Sequence, residues 1–325
     1  NDRDVVEPDA GEPHASSSQS TWPGKALQGR PVPQEASLFE KHLTGVVIWP
    51  HQVDNDELSS IVDKNYEYGA HLHEGVLKGG DNIRNGTIKS FADLWNYATD
   101  VRTSVPNFDA SKMALFRSPQ KVDSDLATPL NGQYDYIRGC VKNHPMFVRK
   151  SPVWESTLAM HGDIPDANGQ TQRVDLTKFS PVGSPTMGRD WERGYITHTL
   201  PNQHPPIRKH LERLYREAMD APDDATFKDK AARLYWWSAH ACFDQRGSAA
   251  KTEIAFRSMY QARGLHCPLW QPGVSADVEA MLCLEDEWVE KHEQLMLSED
   301  ALVRESEKID PMEWADMALK REVGE

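Results

Sequence analysis

The sequence predicts an α+β fold, with a small sheet and short helices before residue 206 and a helical half after it. Three observations lead there. Residues 153–161 and 172–179 carry β-forming side chains on either side of Asp166-Ala167-Asn168-Gly169, a strong turn signal, and so read as a hairpin. From Ile207 onward the apolar residues recur at helical spacing. Hydrophobic residues make up 38% of the 325, with ten Trp and nine Phe, enough for a large core.

The composition divides the chain into a leader over 1–36, an N-terminal α/β region over 37–130, a core over 131–205 and a helical region over 206–325. The leader is rich in Pro, Ser, Gln and Glu, and too poor in aliphatics to repay the entropy of ordering, so it is expected to be disordered or loosely attached. Residues 43–49 form a short apolar run ending at Pro50 and read as a buried strand. Asp56-Glu57-Leu58 opens a helix toward Tyr68-Gly69, and Asn85-Gly86 marks a turn. Ser90 reads as an N-cap with Asp93 at its third helical position, followed by Phe91, Leu94, Trp95 and Ala98 on one face. Residues 112–116 look extended, and 134–141 run into a helix. After the hairpin, 180–206 is rich in Gly, Pro and Ser and reads as a long loop. Helices are then predicted over 207–219, 223–243, 247–262 with a stop at Gly264, and 277–297.

Charge and cysteine usage narrow the function. Net charge is −14, and residues 285–325 hold five Lys or Arg against fourteen Asp or Glu. That balance argues against nucleic acid as a partner, and such a run is ordinarily a solvated face. No apolar run approaches the roughly 18 residues of a membrane span. The chain begins at Asn1 without a signal-peptide core; a missing N-terminal segment carrying a lipid would give peripheral membrane association. The four cysteines, Cys140, Cys242, Cys267 and Cys283, have neither CxxC nor zinc-ligand spacing, so free thiols in a reducing compartment and no metal are expected.

The features closest to chemistry are Cys140 after Gly139, then His161, then Asp175. A thiolate is favoured by a helix start and a neighbouring imidazolium, and the carboxylate orients the imidazole. This is the chain order of a transglutaminase-like or papain-like thiol enzyme. Gly139 lets a substrate approach the backbone, the Cys140 N–H supplies an oxyanion donor, and Gln133 is a candidate second donor. The plainer reading of each is a buried small hydrophobe for the Cys and a surface or satisfied group for the His. His144 is a competing base. Cys242, Cys267 and Cys283 are lesser candidates, read mainly as packing residues. Arg246-Gly247-Ser248 lacks the spaced glycines of a phosphate loop and reads first as a helix start, one that still suits an anion with Arg246 assisting. Arg208, Lys209, His210, Arg213 and Arg216 crowd one helix. Their ordinary meaning is a solvated face; their functional meaning is a polyanion site, for a host activator such as an inositol phosphate or for an anionic lipid. Trp236 and Trp237 read as core.

The stretches Tyr136-Ile137-Arg138-Gly139-Cys140-Val141-Lys142-Asn143 and Trp236-Trp237-Ser238, with Arg246-Gly247-Ser248-Ala249-Ala250, resemble the AvrPphE/HopX/XopE family of plant-pathogen type III effectors. The resemblance covers roughly residues 40–300. It implies a transglutaminase-like catalytic core carrying Cys140, His161 and Asp175 as nucleophile, base and orienting acid. Gly162 after the His and Leu176 after the Asp depart from the usual transglutaminase pattern. The expected function is a thiol hydrolase or acyltransferase acting on a host protein, secreted into the host cytoplasm or to its plasma membrane. An alternative keeps the fold and acts on the phosphoryl centre of a small molecule such as a nucleotide sugar, with Arg246, Arg189 or Arg193 holding phosphate. A third reading is a non-catalytic host-protein binder. No cofactor is expected, and the sequence does not give an oligomeric state.

Overall fold

The computed structural model describes residues 27, 29–31, 36–53, 58–120, 127–151, 155–166, 168–182 and 194–307. Most of the leader, Arg189, Arg193 and the end of the acidic tail lie outside the described residues. The architecture is mixed helix and sheet. Helices α1 (Leu38–Leu43), α2 (Pro50–Val53), α3 (Leu58–Arg84), α4 (Phe91–Thr103) and α5 (Met113–Arg117) come first. Strand β1 (Ala127–Pro129), helix α6 (Ile137–Asn143) and strands β2 (Leu158–Pro165), β3 (Thr171–Ser180) and β4 (Tyr195–Thr197) follow. Then come α7 (His204–Met219), α8 (Asp224–Ala241), α9 (Ser248–Arg263), α10 (Ala276–Met281), α11 (Glu285–Lys291) and α12 (Glu299–Ser306).

The four strands form one antiparallel sheet in the order β1-β4-β3-β2. The β2–β3 hairpin turns where Asp166 Oδ1 accepts from the amides of Asn168 and Gln170. One hydrophobic core joins residues from all three predicted regions after the leader, from Ile83 and Trp95 through Leu158 and Phe179 to Trp237 and Trp288. Trp236 and Trp237 are fully buried in it, and the Trp236 indole donates to Cys283 O at 2.9 Å. Several capping signals hold. Ser90 Oγ accepts from the Asp93 amide, and Gly264 closes α9 in a left-handed conformation.

Several expectations are corrected. The leader is not wholly loose, because Leu27 is buried in the main core, Arg30 pairs with Asp224 at 2.5 Å and Pro31 O accepts from Arg84. Residues 43–49 pair with no strand among the described residues; Val46, Val47 and Ile48 are only half-buried. Residues 112–116 are not extended, since Asp109 caps a short 3-10 turn that leads into α5. The predicted 277–297 helix breaks into α10 and α11 around Cys283.

The largest difference is α3, which runs through Gly69, Gly75, Gly79 and Gly80 to Arg84. Isolated, each glycine weakens a helix by about 1 kcal/mol relative to Ala. Here they admit neighbours. A Cβ on Gly69 would sit 1.9 Å from His42 O of α1, and one on Gly80 would sit 2.4 Å from Gln261 of α9. The small residues are what lets α1 and α9 approach α3.

Candidate functional site

A cavity of about 750 Å³ opens among α3, β1, α10 and the junction of α8 with α9. Three local features build it. Helix α8 ends at Cys242, a non-glycine residue in the left-handed region with φ 43° and ψ 55°. Such a conformation costs an L-residue on the order of 1–2 kcal/mol, and it turns the chain sharply toward Asp244. Asp244 Oδ2 accepts from the buried Lys251 ammonium at 2.7 Å and from the Trp95 indole at 2.9 Å. Gly247, at φ 78°, then starts α9; a Cβ there would meet the Phe116 ring at 2.3 Å.

Helix α9 has no side-chain cap at its start. Ser248, Ala249 and Ala250, its first three residues, line the cavity, so its first-turn amides are presented there. Arg246 lies beside them, exposed and without an ion pair among the described residues. Arg102 also lines the cavity. Its guanidinium stacks 5.2 Å from the centres of both Tyr68 and Phe116, and no carboxylate pairs with it among the described residues. The carboxylates nearby are mostly occupied: Asp244 by Lys251, and Glu253 by Arg257 at 2.8 Å. Aromatic side chains of Trp49, Tyr68, Tyr134 and Trp270 supply flat walls.

On the opposite wall, β1 pairs Thr128 with Ile196 of β4, which brings the Thr128 hydroxyl to 2.8 Å from His198 Nε2. His198 Nδ1 is buried and makes no well-formed hydrogen bond. Burial pushes the ring toward neutrality, but the Cys242 thiol and Asp277 outweigh it and raise its pKa. Cys242 responds in the opposite sense. Burial alone would raise its pKa; the charge of His198 and the polar groups of His198, Gln120 and Ser248 lower it. Gln120 Nε2 lies 3.5 Å from the Cys242 sulfur. Burial raises the Asp277 carboxyl, against a hydrogen bond from Ser275 Oγ at 2.8 Å.

The sequence-predicted residues separate into two groups. Gln133 and Arg246 line this cavity. Cys140, His161, Asp175 and Gly139 do not figure in its lining. His161 and Asp175 are brought together as direct partners across β2 and β3, half-buried and exposed respectively. Cys140 is exposed on α6. Its amide bonds to Tyr136 O at 3.4 Å, so that N–H is not the free oxyanion donor expected of it. Partial burial and Glu279 raise the thiol pKa, with Lys291 opposing; the lowering expected from a nucleophile's partner is absent. Gly139 faces open space. His144 is engaged with the Met146 amide at 3.1 Å. Of the basic helix, now α7, Arg208 stacks 3.9 Å over the Phe243 ring and Arg213 donates to Pro165 O at 2.7 Å. His210 is buried and held neutral, its pKa lowered to about 3 by burial and by the charge of Arg213. Lys209 remains on the exposed face.

Sequence reasoning missed His198, Arg102, Thr128 and Asp277, and set Cys242 aside as packing. One signal pointed to Cys242: a predicted helix ending near residue 243 with no glycine to stop it. Among the described residues no group of three His, Cys, Asp or Glu is placed to hold a metal, and no helix is long and apolar enough to cross a membrane.

Comparison with known proteins gives two concordant matches. Residues 4–155 and 184–299 match the AvrB_AvrC family model, described as avirulence protein. The chain is 30% identical over 298 residues to "Avirulence protein B" of Pseudomonas savastanoi pv. glycinea, covering 85% of this chain and 91% of that protein. The resemblance to the AvrPphE/HopX/XopE family is thereby corrected as to family; what holds is the broader kind, a plant-pathogen effector family.

Proposed function

The chain belongs to the AvrB_AvrC family of avirulence proteins, and on that premise we propose a type III effector that acts inside the plant host cell on a phosphorylated small molecule. The ligand class that suits the cavity is a nucleotide or nucleotide sugar. The observation that carries this reading is the uncapped start of α9 beside Arg246, both facing one cavity. First-turn amides and an unpaired guanidinium are the donors that phosphate oxygens require. Arg102 adds a second cation without a carboxylate, and the aromatic walls suit a base or sugar face. His198, its pKa raised, stands at the cavity as a proton donor for a leaving oxygen, with Asp277 supporting its charge. A host protein is the partner class that the family suggests, as acceptor or as target.

Isothermal titration with nucleoside diphosphates tests the reading. Binding is expected in the wild type, and Arg246→Gln is expected to weaken it at least tenfold, about 1.5–3 kcal/mol for a charge-assisted contact. Equal affinity in both proteins, or no heat at millimolar ligand, would overturn it. A reporter fusion whose entry into host cells requires an intact type III system tests delivery.

Thiol hydrolase or acyltransferase chemistry through Cys140 has one feature in its favour, the pairing of His161 with Asp175. Its test is Cys140→Ala, which should abolish the cellular phenotype of the effector while leaving its fold unchanged.

A further inference from the structure

We propose that Cys242 and His198 form a reactive-thiol site that takes α,β-unsaturated carbonyl compounds, and other soft carbon electrophiles, as covalent adducts inside the cavity. The argument begins with position. Cys242 sits in a strained left-handed conformation at the end of α8, where glycine would be the relaxed choice. That turn aims a half-buried thiol at the cavity instead of leaving it within the helix.

The surroundings are those that sustain a thiolate. Gln120 lies in hydrogen-bonding range of the sulfur at 3.5 Å, and the same amide is fixed by Asp244 O at 3.1 Å. Ser248, Ala249 and Ala250, the first residues of α9, line the same cavity as the thiol, so the positive end of that helix is near. His198 is pinned through Nε2 by Thr128, and its buried Nδ1, without a hydrogen-bond partner among the described residues, belongs to the same cavity lining as the thiol. Asp277 of α10, Lys251 of α9 and Tyr134 of the 132–134 turn bear on the pair, and Arg102, Asp244, Arg246 and Glu253 share its cavity lining. Asp277 stabilises the imidazolium, and Lys251 favours the thiolate.

The remaining cysteines lack this combination. Cys283 is buried and donates to Glu279 O, and burial pushes its pKa up to about 12. Cys267 is likewise pushed up to about 12 by burial. Cys140 is exposed but feels Glu279 and no imidazolium.

The step balances without an oxidant. The Cys242 thiolate adds to the β-carbon of the unsaturated carbonyl, forming the C–S bond. The alkene pair moves onto the carbonyl as an enolate. The imidazolium of His198 delivers its proton to the α-carbon, leaving a thioether and a neutral imidazole. Because the adduct occupies the cavity, it also excludes the phosphorylated ligand, a consequence that rests on the proposed function above.

The test uses the full chain without added ligand, so its outcome does not depend on whether the cavity takes a phosphate. The protein is treated with acrylamide at pH 6.0, and adducts are located by peptide mass spectrometry. Cys242 is expected to label at least tenfold faster than Cys140. His198→Gln is expected to slow Cys242 at least tenfold at pH 6.0, with the gap closing toward pH 9, where an ordinary thiol ionises unaided. Should that variant fail to fold, Cys242→Ser serves instead: early acrylamide uptake at pH 6.0 should fall to the slow background of the other cysteines. Labelling of Cys140 ahead of Cys242, an unchanged rate in folded His198→Gln, or undiminished early uptake in Cys242→Ser would each overturn the proposal.

Discussion

Replacing Lys251 by Met is expected to destabilise the protein by about 3–5 kcal/mol, the cost of leaving one partner of a buried ion pair uncompensated. Lys251 is fully buried, and its ammonium donates to Asp244 Oδ2 at 2.7 Å and to Phe116 O. Met keeps the length and apolar stem of Lys, so little packing is lost. The carboxylate of Asp244 then keeps only the Trp95 indole as a side-chain donor to Oδ2, at 2.9 Å. Phe116 O loses its lysine donor, which alone costs about 1–3 kcal/mol if nothing replaces it. Urea denaturation at pH 7 reads the loss. Adding Asp244→Asn removes the charge and keeps an acceptor for Trp95, so the double variant should recover at least half of it. A loss below about 1 kcal/mol in the single variant would mean that water reaches the pair, and the account of Lys251 and Asp244 as a buried ion pair would fail. A double variant no more stable than the single would show that the lost charge is not the cause.

Three further outcomes are expected. His210 and His240 are buried with pKa values lowered to about 3, by burial first and, for His210, by Arg213 as well. The unfolded chain binds protons there near pH 6.5 and the folded chain does not, so stability is intact above that pH and falls as pH drops toward 3. At pH 5 the loss is about 2 kcal/mol per group, readable as a lower guanidinium midpoint that His210→Gln partly restores; a midpoint flat between pH 7.5 and 5 would refute the assignment. Gly69→Ala should lower the melting temperature despite a helix-propensity gain of about 1 kcal/mol, because the new methyl meets His42 O. Gly139→Ala, which meets nothing, should raise the melting temperature slightly; the opposite ranking of the two variants would contradict the packing described.

Much of the fold was legible where a local rule acts alone. Ser90 and Asp93 form a cap wherever they fall before a helical run, and Asp166 to Gly169 turn a chain without tertiary help. The failures lie where distant contacts decide. Gly69 and Gly80 weaken a helix by themselves, and only the approach of α1 and α9 makes them an advantage. Val46-Val47-Ile48 has strand composition but pairs with no strand among the described residues; Val46 and Val47 serve instead as cavity wall. The basic residues of α7 looked like one patch because periodicity places them on one helix. Packing then sends Arg208 to Phe243 and Arg213 to Pro165.

The two cysteines illustrate why the site was harder to read than the fold. Cys140 lies inside α6 and Cys242 just past the end of α8, and the sequence favoured Cys140 for its glycine neighbour and presumed helix start. Yet Cys140 is the fourth residue of α6, its amide already bonded to Tyr136 O, and of the charges that act on it Glu279 outweighs Lys291. Cys242 follows a helix C-terminus, where the dipole by itself opposes a thiolate. The opposing field comes from elsewhere in the chain: Ser248 at the start of α9, Gln120 ahead of β1, His198 after β4. A thiol's reactivity is set by the charges within a few ångströms of it. Three of the groups that set it for Cys242 come from segments separated by between 6 and 122 residues, and no spacing rule along one strand of sequence collects them. The left-handed turn at Cys242 is the local trace of that long-range arrangement. A helix that stops on a cysteine in place of a glycine has been held there by its surroundings, and those surroundings are the cavity.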